Sequence, residues 1–149
     1  MTNLESLKQL LLENQMFSFR GVDNETISEM LDSRDNEDFE NDWLRVFHEI
    51  ELREKLKPLQ NQDLAEIEAI REIAYKYSFA KTQHSELASY IADDFELIGK
   101  SLFLDFNDEW LNSLFLCYLQ GLFPHKKLSP KPNGLELILE TFSIQKIAA

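Results

Sequence analysis

A chain of 149 residues with 44% hydrophobic side chains, eleven Phe and two Trp carries material for one core of ordinary size, and too much for a disordered chain. Four Gly and four Pro are too few for the turns of a β-rich protein, and the single cysteine, Cys117, excludes an intrachain disulfide. The net charge of −12 argues against direct nucleic-acid binding, which relies on Lys and Arg contacts to phosphate.

The first helix is predicted over Asn3 to Gln15. Thr2 followed by Glu5 forms a capping box, and Leu4, Leu7, Leu10 and Leu11 give an apolar face. The stretch from Met16 to Val22 breaks that period, with Gly21 as the stop signal and Phe17 and Phe19 available to pin the connector. A short second helix is predicted from Asn24 to Leu31, capped by Asp23, with Ile27, Met30 and Leu31 inside. Residues 32–37 are polar and read as a loop.

The third helix runs from Glu37 to Lys57 and stops before Pro58. Phe39, Trp43, Val46, Phe47 and Ile50 share its core face, and acids border that stripe on both sides. The fourth runs from Gln62 to Phe79 with Asn61 as cap and Leu64, Ile67, Ile70, Ala74 and Tyr77 inward. The fifth runs from Ser85 to Phe103. The sixth, capped by Asn107 and running to Gln120, is apolar on nearly all sides, which marks a central, buried helix. His125 to Asn133 reads as an exposed basic loop. Gly134 to Ile147 fits a helix through Leu135, Ile138, Leu139 and Phe142, or a strand through Leu135, Leu137 and Leu139; helix is preferred, because a lone strand has no partner. The expectation is an all-α, single compact domain over 1–149, with six to seven helices around the buried helix at about 107–120.

Motifs for catalysis, cofactors and metals are missing. One Cys and three scattered His (His48, His84, His125) make no zinc site, and no His follows a Glu at the spacing of a di-iron bundle. A calcium loop from Asp32 fails at Arg34, Glu37 and Trp43. Four isolated glycines build no phosphate loop or nucleophile elbow. Asp93 and Asp94 with His84 could form an acid–base group, but a solvated helix face is the preferred reading. Cys117 lies in the apolar run 114–119 and reads as a buried, inert thiol. No enzyme, cofactor or metal is expected. Neither a secretory leader nor a membrane span is legible, so a cytoplasmic protein is expected.

The distinctive feature is acidic. Residues 23–54 hold twelve acids against Arg34, Arg45 and Arg53, a net −9. Asp42, Arg45, Glu49 and Arg53 are spaced to pair along one helix. Asp32, Asp35, Glu37, Asp38 and Glu40 put five carboxylates in nine positions with only Arg34 among them, and their mutual repulsion costs stability. The expected partner-binding surface is therefore Asp32, Asp35, Glu37, Asp38, Phe39, Glu40 and Asp42. Its carboxylates steer a basic protein and an exposed apolar anchor, Phe39 or Phe17, supplies affinity.

A compact, acidic, helical chain without a catalytic motif, its acids gathered from Asp32 to Asp42, resembles the small immunity proteins of bacterial toxin systems such as contact-dependent growth inhibition. The resemblance covers the general character of the whole chain. It implies a cognate toxin, often a nuclease, bound tightly in the cytoplasm of the producing cell; the acidic surface makes the expected toxin a basic one. Two alternatives stand beside it: a helical adaptor or regulatory subunit that binds through an apolar groove, and an inhibitor that mimics nucleic acid.

Overall fold

The computed structural model describes residues 2–13, 16–19 and 22–148, with side chains as far as Thr141. The described residues form seven helices and no strand. They are α1 (Asn3–Glu13), α2 (Asn24–Arg34), α3 (Glu37–Leu56), α4 (Asn61–Thr82), α5 (Ser85–Leu104), α6 (Glu109–Leu119) and α7 (Leu135–Ala148). The expected end of the first helix at Gln15 and the break at Gly21 lie outside the described residues, as does the side chain of Phe142.

Local chemistry sets most of these boundaries. The Thr2 hydroxyl accepts from the Glu5 N–H at 3.1 Å and Glu5 accepts from the Thr2 N–H at 3.3 Å, closing the box that starts α1. Asp23 accepts from the Thr26 N–H at 2.8 Å to start α2. Asn36 does the same for α3 through the Asp38 N–H, at 3.3 Å. Two expected caps are displaced by one residue. Gln60 rather than Asn61 precedes α4, with its N–H donating to Asp63 at 3.1 Å. Asp108 rather than Asn107 caps α6, accepting from the Leu111 N–H at 2.9 Å, because the Asn107 amide oxygen is taken by Asn112 at 2.9 Å.

The centre of the fold is α5, which packs against α4, α3, α1 and α7 and is buried along most of its length. It lies close to α4 at Gly99, where a Cβ would fall 2.8 Å from the Ile67 Cδ1 and force that side chain to shift. The α6 helix is buried over most of its length, as its composition predicts. Phe17 and Phe19 do pin the connector: Phe17 meets Phe95 and Tyr118 edge-on at 5.6 and 6.0 Å, and Phe19 meets Phe123 at 6.3 Å. Leu64 and Tyr77, expected inside, are exposed. The buried row of α4 runs through Ile67, Ile70, Ala74 and Ser78, and those two residues sit on its flank. The last element is a helix, not a strand.

The end of α2 departs from its predicted place. The helix passes Leu31 and continues one turn further, to Arg34. Asp32, Ser33 and Arg34 carry no apolar period, so they read as loop. Tertiary contacts hold the extra turn: the Ser33 hydroxyl donates to the His125 carbonyl at 2.6 Å, and Arg34 enters the core.

Candidate protein-interaction surface

The joint between α2 and α3 is only two residues long, Asp35 and Asn36. Around it Asp32, Asp35, Glu37, Asp38 and Glu40 are all exposed. Arg34, the one base in this run, turns away from them and is 6% exposed. Its guanidinium donates through Nη1 and Nη2 to the two oxygens of Asp94, at 2.9 and 2.8 Å, and through Nη1 to the Pro124 carbonyl at 3.2 Å. Phe39, Phe123 and Tyr90 lie 4.2, 5.1 and 5.4 Å from it as ring centroids.

Asp94 is 0% exposed and fully used as an acceptor. Besides Arg34 it takes the Trp43 indole N–H at 2.9 Å and the Tyr118 hydroxyl at 2.5 Å. Every member of this buried network has partners, the condition under which such a group is tolerated in a core. Burial alone would lower the Arg34 guanidinium, but the Asp94 carboxylate outweighs it and holds it above the ordinary arginine value. Burial pushes the Tyr118 phenol well up, and Asp94 adds to it. The reading of Asp94 as part of a solvated face is therefore overturned. Asp93 is partly exposed and pairs with Arg71 at 2.9 Å, and His84 caps α5 by accepting from the Leu87 N–H at 3.2 Å. Among the described residues no cluster of His, Cys, Asp and Glu is arranged to hold a metal.

Withdrawing Arg34 changes the charge of the corner. Among the described residues no ion pair reaches Asp32, Asp35, Glu37, Asp38 or Glu40. The backbone accounts for three of them. Glu37, Asp38 and Glu40 lie in the first turn of α3, where the helix dipole favours anions. Asp32 and Asp35 lie at the C-terminal end of α2, where the dipole disfavours them. Asp42 is half-buried and meets Arg45 at 3.4 Å. Arg45 does not continue the expected ladder to Glu49; it reaches across to Asp108 at 2.6 Å, while Glu49 pairs with Arg53 at 2.9 Å.

Phe39 and Phe17 do not serve as exposed anchors. Both are buried, and Phe39 packs edge-on against Trp110 at 5.2 Å. The apolar side chain that does reach solvent here is Leu44, 38% exposed. It stands at the mouth of a cleft of about 310 Å³ between the corner and α5.

The acids are plain in the sequence, and the network beneath them is far less so. A signal was present: Asp94 lies three residues after Ile91 and four before Ile98, on the core face of its helix. Cys117, expected to be buried, is half-buried, and its thiol is pushed up to about 11, first by burial and then by Asp94.

A family model described as "Immunity protein PIM1" matches residues 5–125, which include the corner, Asp94, Tyr118 and Pro124. No curated protein matches the chain.

Proposed function

The chain belongs to the PIM1 immunity protein family, and from that premise we propose that it binds and neutralises a basic cognate toxin through the acidic α2–α3 corner. The observation that carries this reading is the removal of Arg34 from the surface into a pair with Asp94, which leaves Asp32, Asp35, Glu37, Asp38 and Glu40 facing solvent without a counter-charge among the described residues. Asp42 extends the same face along α3. Carboxylates so placed steer a cationic protein and speed its association. A toxin with a phosphate-binding cleft, such as a nuclease, is the partner class that fits: covering that cleft stops it with no chemistry on the inhibitor's side. The setting is the cytoplasm of the producing cell, and among the described residues no helix is long and apolar enough to cross a membrane.

Co-expression with candidate toxin domains sought among the neighbouring genes tests the reading. The wild-type chain should co-purify with one of them and block its activity. Reversing Asp35, Asp38 and Asp42 together to Lys should slow association and weaken binding, on the order of tenfold or more at low salt, and less as salt rises. Unchanged affinity would sink the acidic corner as the binding surface. Binding that is strong but insensitive to salt would favour the adaptor-like alternative, with contact through the apolar groove of about 720 Å³ beside Met30, Cys117 and Leu122.

A further inference from the structure

We propose that the cleft beside the acidic corner receives an arginine side chain of the toxin, so that one guanidinium is the central charged contact of the complex. The source of that arginine rests on the immunity reading; the chemistry of the cleft does not.

The cleft has about 310 Å³, at the low end of ligand pockets, which suits a single side chain rather than a cofactor. Its aromatic walls are Trp43 and Tyr90, Phe39 lies in its lining, Leu44 stands at its lip, and Asp35 and Glu40 supply its carboxylates. Two further lining charges are already committed. Arg34 is held by Asp94 at 2.8 Å, and Asp93 is held by Arg71 at 2.9 Å. Among the described residues, the lining carboxylates without an ion pair are therefore Asp35, which has the Tyr90 hydroxyl beside it, and Glu40. An anion would be repelled and a cation drawn in.

Guanidinium suits these walls better than ammonium. It is flat, weakly hydrated, stacks on aromatic faces and offers a fork of donors to two carboxylates, whereas a lysine head is a strongly hydrated point charge. The molecule already shows the mode once: Arg34 lies over Phe39 and Tyr90 while its donors reach a carboxylate. Leu44, with its apolar surface at the lip, would pack on the aliphatic stem of the incoming side chain.

The test uses the full chain, labelled with ¹⁵N, and the peptide acetyl-Gly-Arg-Gly-amide. The Trp43 indole N–H and the Tyr90 amide report on the cleft. The expected result is a saturable shift at both, weaker with the lysine peptide and missing with the glutamate peptide. Removing the carboxylates in a D35N/E40Q chain should weaken the arginine response by roughly fivefold to tenfold, while the thermal melt stays close to wild type, because both side chains are exposed. No shift at Trp43 and Tyr90, or a shift unaltered in D35N/E40Q, overturns the proposal. An equal response to the lysine peptide overturns the choice of guanidinium. The titration contains no toxin, so its failure is separate from failure of the immunity reading. A chain that binds the peptide but not the toxin sinks that reading and leaves the cleft standing.

Discussion

Arg34 and Asp94, sixty positions apart, meet through two parallel hydrogen bonds beneath the acidic corner. The pair explains how a base placed among five acids fails to neutralise them. It also ties α2 to α5, and through Trp43 and Tyr118 to α3 and α6, so four helices meet on one carboxylate.

Removing one member of this network should cost far more than its mean contribution. Arg34→Met or Asp94→Ala strands a buried charge, and each should lose about 3–5 kcal/mol in urea denaturation. Replacing both, as Arg34→Met with Asp94→Leu, should cost less than the sum of the two, because no lone charge remains. Trp43→Phe removes one donor to Asp94 and some packed volume, and the lost hydrogen bond alone should cost about 1.5–3 kcal/mol.

Trp110 is buried against Phe39, and its indole N–H has no hydrogen-bond partner among the described residues. Trp110→Ala should lose about 3–5 kcal/mol through the cavity it leaves. Trp110→Phe loses volume but no hydrogen bond, so it should be milder than the alanine variant. Chemical denaturation of the two variants side by side checks this.

The acids of the corner should divide by their place in the helices. Glu37→Gln removes a favourable dipole interaction at the start of α3 and should destabilise by about 0.3–1 kcal/mol, whereas Asp32→Asn removes an unfavourable one at the end of α2 and should stabilise by a similar amount. Thermal melts at low salt decide this. If Asp32→Asn also weakens toxin binding, that carboxylate is retained at a cost in stability, as a binding residue would be.

Alkaline pH should unfold the protein through groups it holds protonated. Burial raises the Cys117 thiol from its ordinary 9.0 to about 11 and pushes the Tyr118 phenol well above 10.0. Above these ordinary values the unfolded chain releases protons that the folded chain keeps, so stability falls as pH rises. The loss due to Cys117 should begin near pH 9, level off above about pH 11, and vanish in Cys117→Val, while the Tyr118 part continues. Denaturant midpoints from pH 7 to 11 separate the two. Alkylation of the native thiol at pH 8 should be slow and should accelerate on unfolding.

Much of the helical order was legible because it rests on near-neighbour chemistry. The box at Thr2, the cap at Asp23, the stop before Pro58 and the apolar row of α3 depend on residues a turn or two apart. The extra turn of α2 was not legible, because contacts from residues 94, 124 and 125 hold it. The acids of the site could be counted in the chain, but their isolation could not: Arg34 is a neighbour in sequence and a core residue in space. Phe39 belongs to the apolar row of α3, and that row outweighs its place beside the acids: it packs under Trp110 and offers no exposed anchor.

Arg34 leaves the ribosome sixty residues ahead of Asp94, and further still ahead of Tyr118. Until α5 and α6 have been made, residues 32–40 are an anionic stretch with nothing beneath it to fix the angle between α2 and α3. The geometry of the acidic corner thus depends on residues made long after it. On the proposed reading, a copy cut short before Asp94 would carry the charges of residues 32–40 without the contact that holds Arg34 beneath them.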